Sequence, residues 1–285
     1  MPDHTVPVSA IIPTWRRLAP LRKTLDVLRS CEPSPAEILV HVDAGDDDTA
    51  PWLRENATEV QVLESDERRG PGGGRNRLMA ASSQPYVASL DDDSYPLDAD
   101  YFARVVEAFD RHPEAGMIAA VITLREEDPE PIRNEAEEVA LFTGCGCIYR
   151  RKAWREVNGY IPRAVAYGLE EVDLALQMLD EGWKIFRDHR LRVRHDTNLT
   201  HHDNPEQTAS TIVNTAVLPY IRYPKRYWFW GAAQYLNKIR WFIAAGRTEG
   251  IGRGIRNTIS KLWEYRGLRS PVDPDTLQKF RELRG

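Results

Sequence analysis

The sequence predicts an α/β protein, with a mostly parallel central sheet flanked by helices and a helical appendage at the C-terminal end. Three observations lead there. Short apolar runs alternate with helical spacings over the first 120 residues. Polar clusters stand directly after those runs, where open α/β sheets place their ligands. From about Thr208 onward, aromatic and basic side chains recur at helical spacing. The expected organisation is therefore a body over 1–207 and a basic, aromatic-rich helical region over 208–285.

Val8–Ile12 reads as a buried strand ended by Pro13. Leu18, Leu21, Leu25 and Leu28 follow at helical spacing, with Pro20 tolerated near a helix start. Glu37–Val42 is a second strand, stopping at the polar loop Asp43–Thr49, and Val60–Leu63 is a third. Gly70–Gly74 reads as a flexible stretch ahead of a helix from Arg75 to Ser82. Tyr86–Leu90 is a fourth strand and runs straight into Asp91-Asp92-Asp93. A helix over Asp100–Arg111 and a strand over Met117–Ile122 come next. Arg125–Glu138 is acidic, contains Pro129 and Pro131, and reads as a solvated loop. Gly146–Tyr149 is a strand and Arg151–Val157 a short helix. Past Gly168, an apolar stripe of Leu169, Val172, Leu176, Leu179 and Trp183 marks a helix ended by Gly182.

Composition narrows the class. Of 285 residues, 42% are hydrophobic and 28% charged, which is ordinary for a folded domain and excludes global disorder. No run approaches the ~18 apolar residues needed to cross a bilayer. The N-terminus lacks a basic segment followed by a long apolar one, so no secretory signal is expected. Three cysteines, Cys31, Cys145 and Cys147, fit a reducing compartment better than a disulfide framework. A soluble cytoplasmic protein is the expectation. The net charge of −5 divides unevenly: from Pro219 onward there are 14 Lys and Arg against 5 Asp and Glu. An isoelectric point near 5.9 argues against a general nucleic-acid binder, and the basic end could meet anionic lipid, phosphate or the acidic body.

Three adjacent carboxylates, Asp91-Asp92-Asp93, repel one another, and a hard divalent cation such as Mg²⁺ or Mn²⁺ would relieve that repulsion. A solvated turn is the simpler alternative. Glu170, Glu171 and Asp173 lie in a first helical turn, where the helix dipole favours carboxylates, yet a carboxylate at a cleft mouth can also deprotonate a hydroxyl. His195 is a candidate metal ligand through a ring nitrogen, with His201 and His202 as nearby competitors. Asp46-Asp47-Asp48 lacks the ordered spacing of a calcium loop, and Cys145-Gly146-Cys147 lacks a partner pair for zinc, so both read as structural. The glycine stretch is no phosphate-binding P-loop because no Gly-Lys-Ser/Thr follows. A helix N-terminus behind it could still present N–H groups to phosphate.

In chain order these segments resemble a family 2-type glycosyltransferase of the GT-A fold, a Rossmann-like architecture. Ile12-Pro13-Thr14-Trp15-Arg16-Arg17 with Leu21 is similar to the opening I-P-T-Y-N-R-x-x-x-L. Val42–Thr49 resembles V-D-[DN]-G-S-x-D-x-T, and Arg69–Asn76 resembles N-x-G-x-[GAS]-x-A-R-N. Leu90–Asp93 matches the D-x-D element and Glu170–Leu174 the E-D-x-D-L element. Gly182–Ile185 and Val193–His195 fit the closing G-[YW]-K-I and V-x-H segments. The resemblance spans roughly residues 6 to 196. Arg16, Ala44 and Asp46 depart from the family's usual Asn, Asp/Asn and Ser, and Glu171 stands where Asp is usual.

The resemblance implies roles. Pro13, Thr14, Arg17 and Asp43 would border base and ribose, Arg75 the base or phosphates, and Asp91 or Asp92 the ribose. Asp93, with Asp91 and His195, would hold Mn²⁺ or Mg²⁺ against the diphosphate. Glu171 would be the general base of an inverting displacement, with Glu170 or Asp173 as alternates. The donor would be a nucleoside-diphosphate sugar, UDP or TDP first, and the acceptor a glycan, lipid-linked or small molecule. A non-catalytic nucleotide-sugar-binding scaffold is the rival. A nucleotidyltransferase would need a glycine-rich loop around the first strand, which Pro13–Arg17 is not. Asn237–Trp241 resembles the Q-x-x-R-W element of processive synthases without its Gln. Together with Tyr227–Trp230 it leaves open helix packing on the body, a homo-oligomer or a peripheral membrane contact.

Overall fold

β1 (Thr5–Thr14) sends Ala10 and Ile12 into one apolar layer and Ile11 into the other, the alternation a strand buried on both faces requires. In the computed structural model, which describes residues 5–161, 168–197 and 204–284, β1 is flanked by β2 (Ser34–Val42) and β4 (Tyr86–Leu90), both parallel to it. β3 (Val60–Glu64) extends the parallel set beyond β2. Between these strands run α1 (Leu18–Ser30), α2 (Thr49–Asn56) and α3 (Gly70–Ala81). The remaining strands are β5 (Ser94–Pro96), β6 (Ala115–Leu124), β7 (Ala136–Glu138), β8 (Gly146–Arg150) and β9 (Lys184–His195). The order is β3-β2-β1-β4-β8-β6-β9-β5, with β7 also paired to β9. β8 runs antiparallel between β4 and β6, and it carries the segment just before it to the end of β4.

Leu21, Leu25 and Leu28 of α1 join Phe102, Val105 and Phe109 of α4 (Tyr101–Arg111) on one face of the sheet. Leu78 and Met79 of α3 join Leu174, Leu176 and Met178 of α6 (Glu170–Asp180) on the other, near the short α5 (Arg151–Trp154).

Four local expectations change. α2 is a helix that the pattern does not announce, because it buries only Thr49, Ala50 and Leu53; its start is held by Asp46, which accepts from the Thr49 N–H (3.1 Å) and hydroxyl (2.9 Å). Residues 70–74, Gly-Pro-Gly-Gly-Gly, are not a loop but the first turns of α3. They are there for closeness: a side-chain carbon on Gly74 would lie 2.8 Å from His41 Nδ1 and 3.1 Å from Pro13 Cβ. Trp183 is not on the α6 stripe, since Gly182 turns left-handed at φ 82° and Trp183 packs beneath Gly116. Arg125–Glu138 also ends in a strand, β7, rather than remaining loop throughout.

The C-terminal helices α7 (Pro205–Arg222), α8 (Trp228–Ala244), α9 (Ile251–Glu264) and α10 (Pro274–Arg284) follow. Helix formation starts at Pro205, with Asn204 accepting from the Gln207 N–H at 2.8 Å. Leu218, Leu277 and Phe280 share the apolar cluster of α6. Arg222 forms a buried ion pair with Asp173 at 2.5 Å. Among the described residues no helix is long and apolar enough to cross a membrane.

Candidate active site

β1, β2 and β4 end side by side, and the polar segments that follow them meet at that edge of the sheet. Asp91, Asp92 and Asp93 follow β4 and part company. Asp92 turns inward, accepting from the Thr14 hydroxyl at 2.9 Å and pairing with Arg17 Nε at 3.0 Å. Asp93 pairs with the other end of the same guanidinium and lies 3.4 Å from His195 Nε2. Asp91 keeps 31% of its side chain exposed, against 8% and 5% for its neighbours. The outward carboxylate is therefore Asp91.

Charge follows geometry. Burial pushes the Asp92 carboxyl up to about 7, against the pull of Arg17. Burial acts on Asp93 too, but the His195 hydrogen bond and Arg17 outweigh it and hold Asp93 below the usual carboxylate range. His195 is moved upward, as burial is overcome by Asp93 and the Asp91 charge.

Arg75 enters from α3, almost wholly buried. It pairs with Asp91 and donates to Ser89 Oγ at 2.9 Å, and Ser89 donates to the Gly144 carbonyl at 3.0 Å. The Asp91 charge outweighs burial and keeps the guanidinium charged. Glu171, in the first turn of α6, reaches the same point: a carbon added to Gly144 would meet Arg75 Nη2 and Glu171 Oε1 at 3.3 Å each. Burial first, and then the Glu170 charge, raise Glu171 to about 7. Asp173 points away into its pair with Arg222 and donates nothing to the cleft.

Pro13 and Thr14 close β1 above α3. Asp43 is a buried anchor: its carboxylate accepts from the N–H groups of Arg69 (2.8 Å) and Gly70 (2.9 Å) and from Ser65 Oγ (3.1 Å). Although burial opposes it, those N–H groups hold Asp43 below its ordinary value. Arg68, also paired with Asp43, lies over the Trp15 ring at 3.6 Å. Arg16 turns left-handed at φ 55° and donates its N–H to Asp46 at 2.5 Å. Of Asp46-Asp47-Asp48, read from sequence as structural, Asp46 spends its carboxylate on the Arg16 and Thr49 N–H groups.

Cys145, read from sequence as structural, stands beside two of the candidate ligands. One ligand atom each from Asp91, Cys145 and His195 lies within 4.8 Å of the others. The thiol is buried, and burial and then the Asp91 charge hold it well above its ordinary value. Its backbone carbonyl accepts from Ser94 Oγ at 2.8 Å, and Ser94 in turn receives the Asp91 N–H at 2.7 Å. Gly144 and Cys145 carry no local motif, and the β4–β8 pairing brings them beside Ser89 and Asp91 at the end of β4. Carboxylate, imidazole and thiol together are a donor set that fits a divalent ion of borderline hardness. His201 and His202 lie outside the described residues.

A mixed sheet flanked by helices, with polar loops at the ends of its parallel strands, is the GT-A architecture, and solved structures of that fold match this chain. GalNAc-T7, in a structure with UDP, GalNAc and Mn²⁺, superposes with TM-score 0.63 at 14% identity, covering 78% of this chain and 49% of that one. The mannosyltransferase PcManGT from Pyrobaculum calidifontis, with GDP-Man and Mn²⁺, gives 0.57 at 14% identity, covering 92% and 83%. S. aureus TarS 1–349 in complex with UDP gives 0.58 at 16% identity, covering 81% and 71%. This chain thus spans about half the length of GalNAc-T7. No curated protein matches by sequence. The family model for glycosyl transferase family 2 matches residues 9–158, and the chain belongs to that family. It is a transferase enzyme.

Proposed function

We propose that the protein moves one sugar from a nucleoside diphosphate to an acceptor hydroxyl or amine, with inversion at the anomeric carbon and in dependence on Mn²⁺ or Mg²⁺. The observation that carries this reading is the convergence of Glu171 and the Arg75–Asp91 pair over Gly144. It sets a proton acceptor opposite a cationic and metal-binding wall. The complexes of similar fold hold UDP or GDP-Man, two of them with Mn²⁺. UDP or TDP is the donor nucleotide we favour.

Asp91, His195 and Cys145 would hold the ion, with Asp93 steadying the imidazole. The thiol biases that donor set toward Mn²⁺ over Mg²⁺. When bound, the ion supplies positive charge to the departing diphosphate. Arg75 adds a fixed cation to the same wall, in a buried setting where its charge acts strongly. Pro13, Thr14 and Arg17 line the nucleotide end, and Asp43 shapes it by pinning the start of α3. Asp92 sits below, orienting Thr14 and Arg17 toward the ribose. Glu171 accepts the acceptor's proton as the new bond forms, and a value of about 7 suits a base working near neutrality. Residues 1–207 carry this machinery in our reading, and 208–285 brace α6. The protein acts in the cytoplasm, on a glycan, lipid-linked or small-molecule acceptor.

Calorimetric titration with UDP, TDP, GDP, CDP and ADP, each with and without Mn²⁺, tests the reading. Selective, metal-dependent binding of one nucleotide is expected. A folded protein that binds none would favour a non-catalytic scaffold.

A further inference from the structure

The described residues expose eleven large apolar side chains, and nine of them fall between Trp228 and Leu268. α9 shows why they stay uncovered. It packs on α7 through Gly254 and Thr258; a carbon on Gly254 would lie 3.0 Å from the Ala209 carbonyl. The neighbouring positions Ile255, Ile259 and Trp263, four residues apart, therefore form one outward stripe, with Ile259 at 78% and Trp263 at 69% exposure. α8 behaves alike. It buries only Gly231, against Pro219, and Phe242. Phe229, Leu236 and Ile243, seven residues apart, are exposed. The two helices touch where Tyr235 and Thr258 hydroxyls meet at 3.3 Å.

Cations are threaded among these side chains. Residues 225–269 contain ten Lys and Arg against two Glu. Arg266 lies 4.1 Å over the Trp263 ring and Lys238 5.1 Å over Trp241. Long cationic stems beside apolar tips suit a boundary between hydrocarbon and anionic headgroups. A second copy of the chain suits it poorly, because a two-fold contact would press this cationic face against itself. A spanning helix is absent among the described residues, so contact would lie in the plane of the surface.

We propose that α8 and α9 dock the enzyme on an anionic lipid bilayer, with Phe229, Leu236, Ile259 and Trp263 entering the headgroup boundary. The inference does not rest on the donor or on the catalytic base.

Flotation of the full chain with phosphatidylcholine vesicles, and with equal parts phosphatidylcholine and phosphatidylglycerol, tests the proposal. Binding to the mixed vesicles, weakened by salt, is expected. The double variant Ile259→Glu/Trp263→Glu should lose about tenfold or more of that binding while keeping the native melting temperature. Arg253→Glu/Arg256→Glu should lose it too and should remove the salt dependence. No flotation with the mixed vesicles, equal flotation with neutral ones, or full binding by the first variant would overturn it. So would lipid-free self-association that the first variant abolishes, which would make the face an interface between copies.

Discussion

Residues 91–93 at the end of β4 and residues 170–173 at the start of α6 are both dense in carboxylates, and both divide them in one way. In each, one carboxylate looks into the cleft, Asp91 or Glu171, while a neighbour is buried against an arginine from elsewhere in the chain. Asp92 and Asp93 hold Arg17 from the loop after β1, whereas Asp173 holds Arg222 from α7. The difference lies in what the buried partner secures. Arg17 stays half exposed at the cleft, so its pairing shapes the site itself. The Asp173–Arg222 pair is dry at both ends and joins the C-terminal helices to the body. Two acidic clusters thus each leave one member facing the cleft and commit others to holding an arginine.

Separating those duties gives the largest expected effect at Glu171. Glu171→Gln should lower transfer by about 10²–10⁴-fold while donor binding by calorimetry is unchanged; retained turnover would move the base elsewhere. Glu171 acts as a base only when ionised, and burial raises it to about 7. The native kcat/KM should accordingly fall about tenfold per pH unit below that value and level off above it, and the Gln variant should lose this slope. Asp173→Asn should leave Arg222 buried without its charge partner and cost about 3–5 kcal/mol of stability by denaturant unfolding. The double replacement Asp173→Leu/Arg222→Met should recover most of that, because both desolvated charges go together.

Smaller effects sharpen the contrast within 91–93. Asp91→Asn should abolish the Mn²⁺ dependence of nucleotide binding, while Asp93→Asn should only weaken it, since Asp93 faces Arg17 and His195 rather than the opening. Equal losses in the two would show that both carboxylates reach the ion. Smallest of all, Asp46→Ala should cost about 1 kcal/mol in melting experiments through its cap on α2, with donor affinity untouched. An affinity change there would bring the first Asp run into the site.

The strands and helices around β1, β4, α1, α4 and α6 were legible because apolar spacing is a local property that burial enforces directly. The acidic run after β4 was legible for a similar reason: a polar cluster at the end of a buried strand has few places to go. α2 was not, as three buried side chains leave no period to read. The glycines of α3 look flexible in sequence, and only His41 and Tyr160 packed against them show that they make room.

The sequence by itself determined the alternation of elements, the family motifs and which residue types can bind a cation or take a proton. Tertiary structure decided where those residues stand and which of them face the cleft. Asp91 rather than Asp92 or Asp93 is left facing outward because Arg17, folded back from β1, draws the latter two inward. Cys145 joins Asp91 and His195 because β8 pairs antiparallel with β4, across more than fifty residues of intervening chain. Asp173 leaves the cleft for an arginine that lies on another helix. Each choice turns on a contact between distant segments, and no local pattern records such a contact before the chain folds.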